Sequence, residues 1–251
     1  MTRIKMKNKN KHIIGFAGRA RSGKTHLSEL LSKESNAKIF TIARYLKLLC
    51  CEILKLDNIG ELNRLKNNNT VLNYTPKEDF VNIIHLRTGI STDDIITETS
   101  KIKSLKNVRN IMQFIGTDII RKFYSDWHID QLINEITLSD EEFIIIDDVR
   151  FPNEVEALQK IGGKIYFIIR TTDVTPDMIT NHSSETALKW YNFPDENIIL
   201  NTGDLNSLND NFISAYRNNF ENNSRNPIFL SSHKEYIENP LVIEDLKNRI
   251  K

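Results

Sequence analysis

Gly18-Arg19-Ala20-Arg21-Ser22-Gly23-Lys24-Thr25 matches the pattern G-x-x-x-x-G-K-[ST], which constrains the fold more than any other feature of the sequence. The pattern works only in one context: a buried strand must lead into it and a helix must leave it. His12-Ile13-Ile14-Gly15-Phe16-Ala17 is a short apolar run that reads as the strand. Beyond the loop, Leu27, Leu30 and Leu31 recur at helical spacing, with Ser28 and Glu29 on the other side. Backbone N–H groups of such a loop point inward, and the helix dipole adds to their attraction for phosphate. Gly18, Arg21, Ser22, Gly23 and Lys24 are therefore expected around a nucleoside triphosphate. Lys24 would reach its outer phosphates and the Thr25 hydroxyl would hold Mg2+. A glycine turn beside a solvated lysine is the plainer alternative, and the flanking strand and helix argue against it.

Composition removes several other classes. Lys and Arg number 34 against 33 Asp and Glu, a net charge of +1, which gives no general case for nucleic acid or an anionic membrane as partner. The basic, Asn-rich start (Arg3, Lys5, Lys7, Lys9, Lys11) reads as a solvated tail and lacks the apolar core of a secretion signal. No run approaches the roughly 18 apolar residues of a membrane span. The only cysteines, Cys50 and Cys51, are adjacent within a helical pattern. They cannot form a disulfide framework, so a reducing, cytoplasmic setting is expected (the host's, were the chain phage-encoded).

Strand-like and helix-like segments alternate along 251 residues, which predicts one α/β domain around a mostly parallel sheet. Five strand candidates appear: 12–17, 38–43, 143–146, 165–169 and 198–200. A sheet of about five strands with helices on both faces, a three-layer α/β/α arrangement, follows. Arg44–Leu56, Asn107–Phe123 and Trp127–Ile136 carry helical apolar faces. The intervening stretch is polar, with weak helical patterns at 79–86 and 93–99, and reads as a lid-like insertion over the sheet's carboxyl edge. The expected organisation is a single domain over 1–225, with core 12–56 and 107–215, insertion 57–106 and a C-terminal extension 226–251.

Phe143-Ile144-Ile145-Ile146 is a β-branched run ending in Asp147-Asp148. A carboxylate at such a strand end, downstream of a glycine loop, is placed to anchor Mg2+ beside Thr25. Successive strand residues face opposite ways, so one aspartate is expected to face the site, and Asp148 is the choice. Arg150 lies two residues on, Arg121 on the helix at 107–123, and Arg170 at the end of the next strand. Bringing two anions together needs such cations, and a planar guanidinium grips phosphate through two hydrogen bonds.

Asp148-Val149-Arg150-Phe151-Pro152-Asn153-Glu154, followed by Glu156-Ala157 and Gly162-Gly163, resembles the bacteriophage-type deoxynucleoside monophosphate kinases. Three further segments agree in order: Gln113-Phe114-Ile115-Gly116-Thr117-Asp118 with Arg121, His182-Ser183-Ser184-Glu185, and Asn201-Thr202-Gly203-Asp204-Leu205. The resemblance spans about residues 12–56 and 107–215. It departs at Thr25, where many members carry Asp, and at Ile42–Lys47, where an acid and a proline are missing.

The resemblance implies a P-loop kinase fold and Mg2+-dependent transfer of the γ-phosphoryl of ATP to a deoxynucleoside monophosphate. It places Asp148, Arg150, Glu154 and Arg121 in the active site, beside Lys24 of the loop, while Arg170 at its strand end is expected against ATP. Gln113, Arg121, Trp127 and Arg150 would bind the acceptor, with Arg121 clamping its phosphate and Trp127 stacking on the base. A two-fold dimer is the default assembly. Two other readings share these residues: a P-loop kinase of another phosphorylated metabolite, such as phosphomevalonate, and a nucleotide-hydrolysing switch.

Overall fold

The computed structural model describes residues 11–171, 186–188 and 191–220. They fall into two compact units, one running Phe40–Asp140 and the other combining the chain up to Ile39 with that from Glu141 onward.

The second unit holds the parallel sheet. Its strands are β1 (His12–Ala17), β2 (Lys38–Phe40), then β5 (Phe143–Val149), β6 (Lys164–Arg170) and β7 (Ile198–Asn201), in the order β2-β5-β1-β6-β7. β1 pairs in parallel with β5 and β6, and β6 with β7. Helix α1 (Lys24–Ser35) carries the chain from β1 toward the β2 edge, whereas α8 (Pro152–Lys160) carries it from β5 the opposite way to β6. Right-handed crossovers running in opposite directions place their helices on opposite faces. Ile14, Phe16, Ile145, Tyr166, Ile168 and Ile199 meet Leu27 and Leu31 of α1 and Leu208, Phe212 and Tyr216 of the last helix, α9 (Leu205–Phe220). Phe16, Tyr166 and Phe212 pack edge-on or tilted, with centroids 5.4 to 6.3 Å apart. Each large ring buried there stabilises by a few kcal/mol. The three-layer, mostly parallel sheet expected from the sequence is present. Strand β2 is shorter than the 38–43 run, because the chain turns at Thr41 and Ala43 leads straight into α2 (Arg44–Leu54).

Alternation breaks at the end of β5. Gly15 pairs with Ile146 and Ala17 with Val149, so three steps on β5 match two on β1. This is a β-bulge, and Asp147 and Asp148 together oppose Phe16.

The first unit is mostly helical: α2, then α3 (Ile59–Asn67), α4 (Glu78–Thr88), α5 (Thr92–Thr99), α6 (Val108–Gln113) and α7 (Trp127–Leu138). A two-stranded antiparallel sheet joins β3 (Val71–Tyr74) to β4 (Leu105–Asn107). Leu62, Phe80, Ile84, Ile95, Ile111, Ile115 and Ile119 are fully buried in its core together with Cys50. Three of the helices start on side-chain caps: Asn58 accepts from the Glu61 N–H, Ser91 from Asp94 and Asn107 from Asn110, at 3.0 to 3.1 Å. Cys50 and Cys51 are free and buried, and burial pushes both thiols up.

The amphipathic run at 107–123 is not one α-helix. After α6, residues Phe114–Arg121 wind as a π-helix, with i→i+5 bonding. Gly116 sits inside this segment against Leu46: a Cβ there would lie 2.7 Å from Leu46 Cδ2, so the leucine side chain would have to shift to admit one.

Candidate active site

Because Ala17 pairs with Val149, the loop leaving β1 and the turn leaving β5 start side by side at the carboxyl edge of the sheet. These neighbouring strands send their crossovers in opposite directions, which opens a crevice at their ends, the usual ligand site in such sheets.

The loop's shape is set by left-handed residues at Gly18 (φ 138°), Arg21 (φ 62°) and Gly23 (φ 109°). Gly18 cannot be replaced freely, since a Cβ would lie 2.5 Å from the Ile168 carbonyl oxygen. The Lys24 ammonium folds back into the loop and donates to the carbonyls of Gly18 (2.8 Å) and Arg19 (2.6 Å) and to Ser22 Oγ (3.4 Å). It is only 7 % exposed. Arg170 Nη1 donates to the Arg21 carbonyl at 3.2 Å, and Asn201 Nδ2 to the Ser22 carbonyl at 2.8 Å. Four loop carbonyls are thus held by side-chain donors, while Thr25 stands exposed in the first turn of α1.

At the β5 end, Asp147 and Asp148 are both half-buried. The bulge puts both opposite Phe16, whose ring faces α1, so the one-aspartate argument from strict alternation fails here. Arg150 follows in the turn. Glu154 is 1 % exposed, and its Oε2 accepts the backbone N–H groups of Arg150 (2.7 Å) and Phe151 (3.1 Å). It caps the start of α8 and fixes the turn that carries Arg150.

The remaining expected residues belong to the helical unit. Gln113 ends α6 and Arg121 ends the π-helix, both half-buried. Trp127 is 4 % exposed, packed in the core with its ring edge-on to His128 at 5.1 Å. In this packing neither face of the ring is open. The segment His182–Glu185 lies outside the described residues.

His128 was not singled out by the sequence. It is 3 % exposed and its Nε2 lies 3.3 Å from the Gly116 carbonyl oxygen, while Nδ1 is buried without a partner. The carbonyl can only accept, so Nε2 carries the proton. Burial first, and then the charge of Arg121, push the imidazole down to about 3. The folded protein therefore refuses a proton that the unfolded chain takes up near pH 6.5. Stability is full above that pH and falls as the pH drops from about 6.5 toward 3, by about 1.4 kcal/mol for each pH unit. Urea midpoints at pH 7.5 and 5.5 should show this loss in the wild type and a smaller loss in His128→Gln. Equal pH dependence in both proteins would rule out His128 as its source.

Thr25, Asp147 and Asp148 carry hydroxyl and carboxylate oxygens, the hard donors Mg2+ takes, of which it needs only one or two carboxylates beside substrate phosphates. No cluster of three or more His, Cys, Asp or Glu able to hold a metal occurs among the described residues. Nor is any helix among them long and apolar enough to cross a membrane.

No curated protein matches the chain. A family model does: residues 51–212, from the second turn of α2 into α9, match the model for deoxynucleotide monophosphate kinase. That range includes the π-helix, the turn after β5 and the β7 end, and begins after the glycine loop. The chain belongs to the deoxynucleotide monophosphate kinase family.

Proposed function

We propose that the protein transfers the γ-phosphoryl group of ATP to a deoxynucleoside 5′-monophosphate, with Mg2+, giving ADP and the diphosphate. The observation that carries this reading is the loop of residues 18–25. Its carbonyl oxygens are engaged by Lys24, Arg170 and Asn201 and its turn is closed by the Ser22 N–H on the Arg19 carbonyl, a fixed glycine-rich backbone of the kind that cradles phosphate oxygens.

An oxygen of the acceptor phosphate attacks the γ-phosphorus, the bond to the β–γ bridging oxygen breaks, and its electron pair leaves with ADP. The acceptor is already anionic, so no strong general base is needed. Positioning and charge neutralisation supply the acceleration. Lys24 and the loop amides hold the triphosphate, and Arg150, on a turn fixed by Glu154, offers a guanidinium at the same edge. Thr25 with Asp148 would hold Mg2+, which when bound neutralises charge on the phosphate oxygens. Arg170, half-buried and tied to the loop, acts on ATP chiefly through the loop's shape. Gln113 and Arg121 bind the acceptor.

Four deoxy- and four ribonucleoside monophosphates, each assayed with ATP for ADP release, test the reading and fix its base range. No turnover with any deoxynucleotide would overturn it. Turnover only with another phosphorylated metabolite would transfer the reaction to that substrate. Arg121→Ala should raise the acceptor's KM at least tenfold while leaving the KM for ATP within about twofold. Equal effects on both substrates would remove Arg121 from the acceptor clamp.

A further inference from the structure

Asn201 closes β7, is 4 % exposed, and belongs to none of the groups so far given a part in the chemistry. Every polar atom of its amide is used. Its Oδ1 accepts the Gly203 N–H at 2.9 Å, which fixes the amide's orientation and leaves Nδ2 to donate to the Ser22 carbonyl at 2.8 Å. Its own backbone carbonyl accepts the Thr171 N–H at 2.9 Å, beyond the end of β6. A Cβ on Gly23 would lie 3.0 Å from Nδ2, so the amide is pressed directly against the loop. One buried residue thus joins the glycine loop and the turn into α9 through its side chain, and the β6 end through its backbone.

Ser22 is where this matters most. The Ser22–Gly23 peptide links the last turn of the loop to Lys24, and its plane decides where the Gly23 N–H points. A peptide is planar, so a carbonyl held outward turns the N–H of the next residue inward. We infer that Asn201 is a positioning residue for ATP: by holding the Ser22 carbonyl, it aims the Gly23 N–H and the head of α1 at the triphosphate. The inference rests on the proposed reading of residues 18–25 as the ATP phosphate loop.

Asn201→Asp is the discriminating change. An ionised carboxylate still accepts from Gly203 but has no proton for Ser22, and sets two acceptors face to face. A protonated carboxyl has the shape of the amide and restores the donor. Burial opposite a carbonyl raises the pKa of such a carboxyl, which brings its titration toward the neutral range. Among the described residues, the charged and titratable groups on the elements beside the position are Lys24 and His26 on α1, Arg170 across the β6–β7 pair and Asp204 in the following turn. Wild type measured at each pH therefore serves as the reference.

The experiment is calorimetric binding of ATP with Mg2+ to wild type, Asn201→Ala, Asn201→Asp and Lys24→Ala at pH 8.0 and 5.5, with the KM for the deoxynucleotide measured alongside. The expected result at pH 8.0 is ATP affinity weakened on the order of tenfold in both Asn201 variants, with the acceptor's KM within twofold. At pH 5.5 the deficit of Asn201→Asp relative to wild type should shrink to threefold or less, while that of Asn201→Ala persists. ATP affinity within twofold of wild type in both variants would overturn the inference, as would equal losses for the two substrates or a deficit in Asn201→Asp that ignores pH. Failure of both variants to fold would also overturn it, assigning Asn201 to the fold alone. Lys24→Ala separates the two levels: if it too leaves ATP binding intact, the phosphate-loop reading itself falls.

Discussion

Lys24→Ala is expected to lower turnover by roughly a hundredfold or more, about 3 kcal/mol of transition-state stabilisation. The structure gives two routes to that loss. Without the ammonium, the charge that gathers on the γ-phosphate oxygens loses its lysine partner. At the same time the Gly18 and Arg19 carbonyls lose the donor that draws them together at 2.6 to 2.8 Å. Stability should respond far less. Removing Nζ leaves carbonyls short of a donor, which costs about 1–3 kcal/mol, but it also removes a charge on a buried residue, and these terms oppose each other. A steady-state assay beside a thermal melt therefore separates catalysis from folding. A tenfold or smaller loss of turnover would contradict the role given to Lys24, and a collapse of the melt would make it chiefly a structural residue.

The sequence revealed elements where several independent signals coincide. The strand, loop and helix at 12–35 carry an apolar run, a glycine pattern and helical spacing together; β5 opens on a β-branched run with residues buried on both faces, and β6 is an apolar run of isoleucines and aromatics. Elements with one buried residue left almost no periodic trace. Helix α3 buries Leu62 alone, and only its Asn58 cap with Glu61 three residues on could have announced it. The strands of the β3–β4 pair are three or four residues long, too short for alternation to register.

Spacing also cannot separate neighbouring helical forms. Ile111, Ile115 and Ile119 recur every four residues, which fits an α-helix about as well as a π-helix. In the fold Gly116 lies against Leu46 and its carbonyl accepts from His128, contacts from residues distant in sequence that spacing alone does not register. The site shows a similar division. Positions at the ends of strands were legible, because strand ends define the sheet edge. Where a side chain stops was not: Trp127 and Glu154 occupy the family's positions, yet one ring is enclosed in the core and one carboxylate is bound to two backbone N–H groups.

Asp148→Asn should cost about as much as the loss of Lys24, roughly a hundredfold in turnover, and should raise the Mg2+ concentration needed for half-maximal rate. Asn keeps the shape and removes only the charge that would hold the ion, so the melt should hardly move. The bulge makes Asp147→Asn the necessary companion. In a regular strand Asp147 would point away from the face that Asp148 presents. Here Ile146 and Val149 pair with Gly15 and Ala17 on one face, and both aspartates share the position opposite Phe16. Both can turn toward the side of the sheet where α1 begins, but Asp148 stands one residue nearer the carboxyl edge and the loop. Because Mg2+ needs only one or two carboxylates beside the phosphates, the second contributes field more than coordination. Asp147→Asn should therefore lose tenfold or less, with its Mg2+ dependence near that of wild type. A larger loss for Asp147→Asn would exchange the two roles. Small losses in both would take the metal away from this strand end.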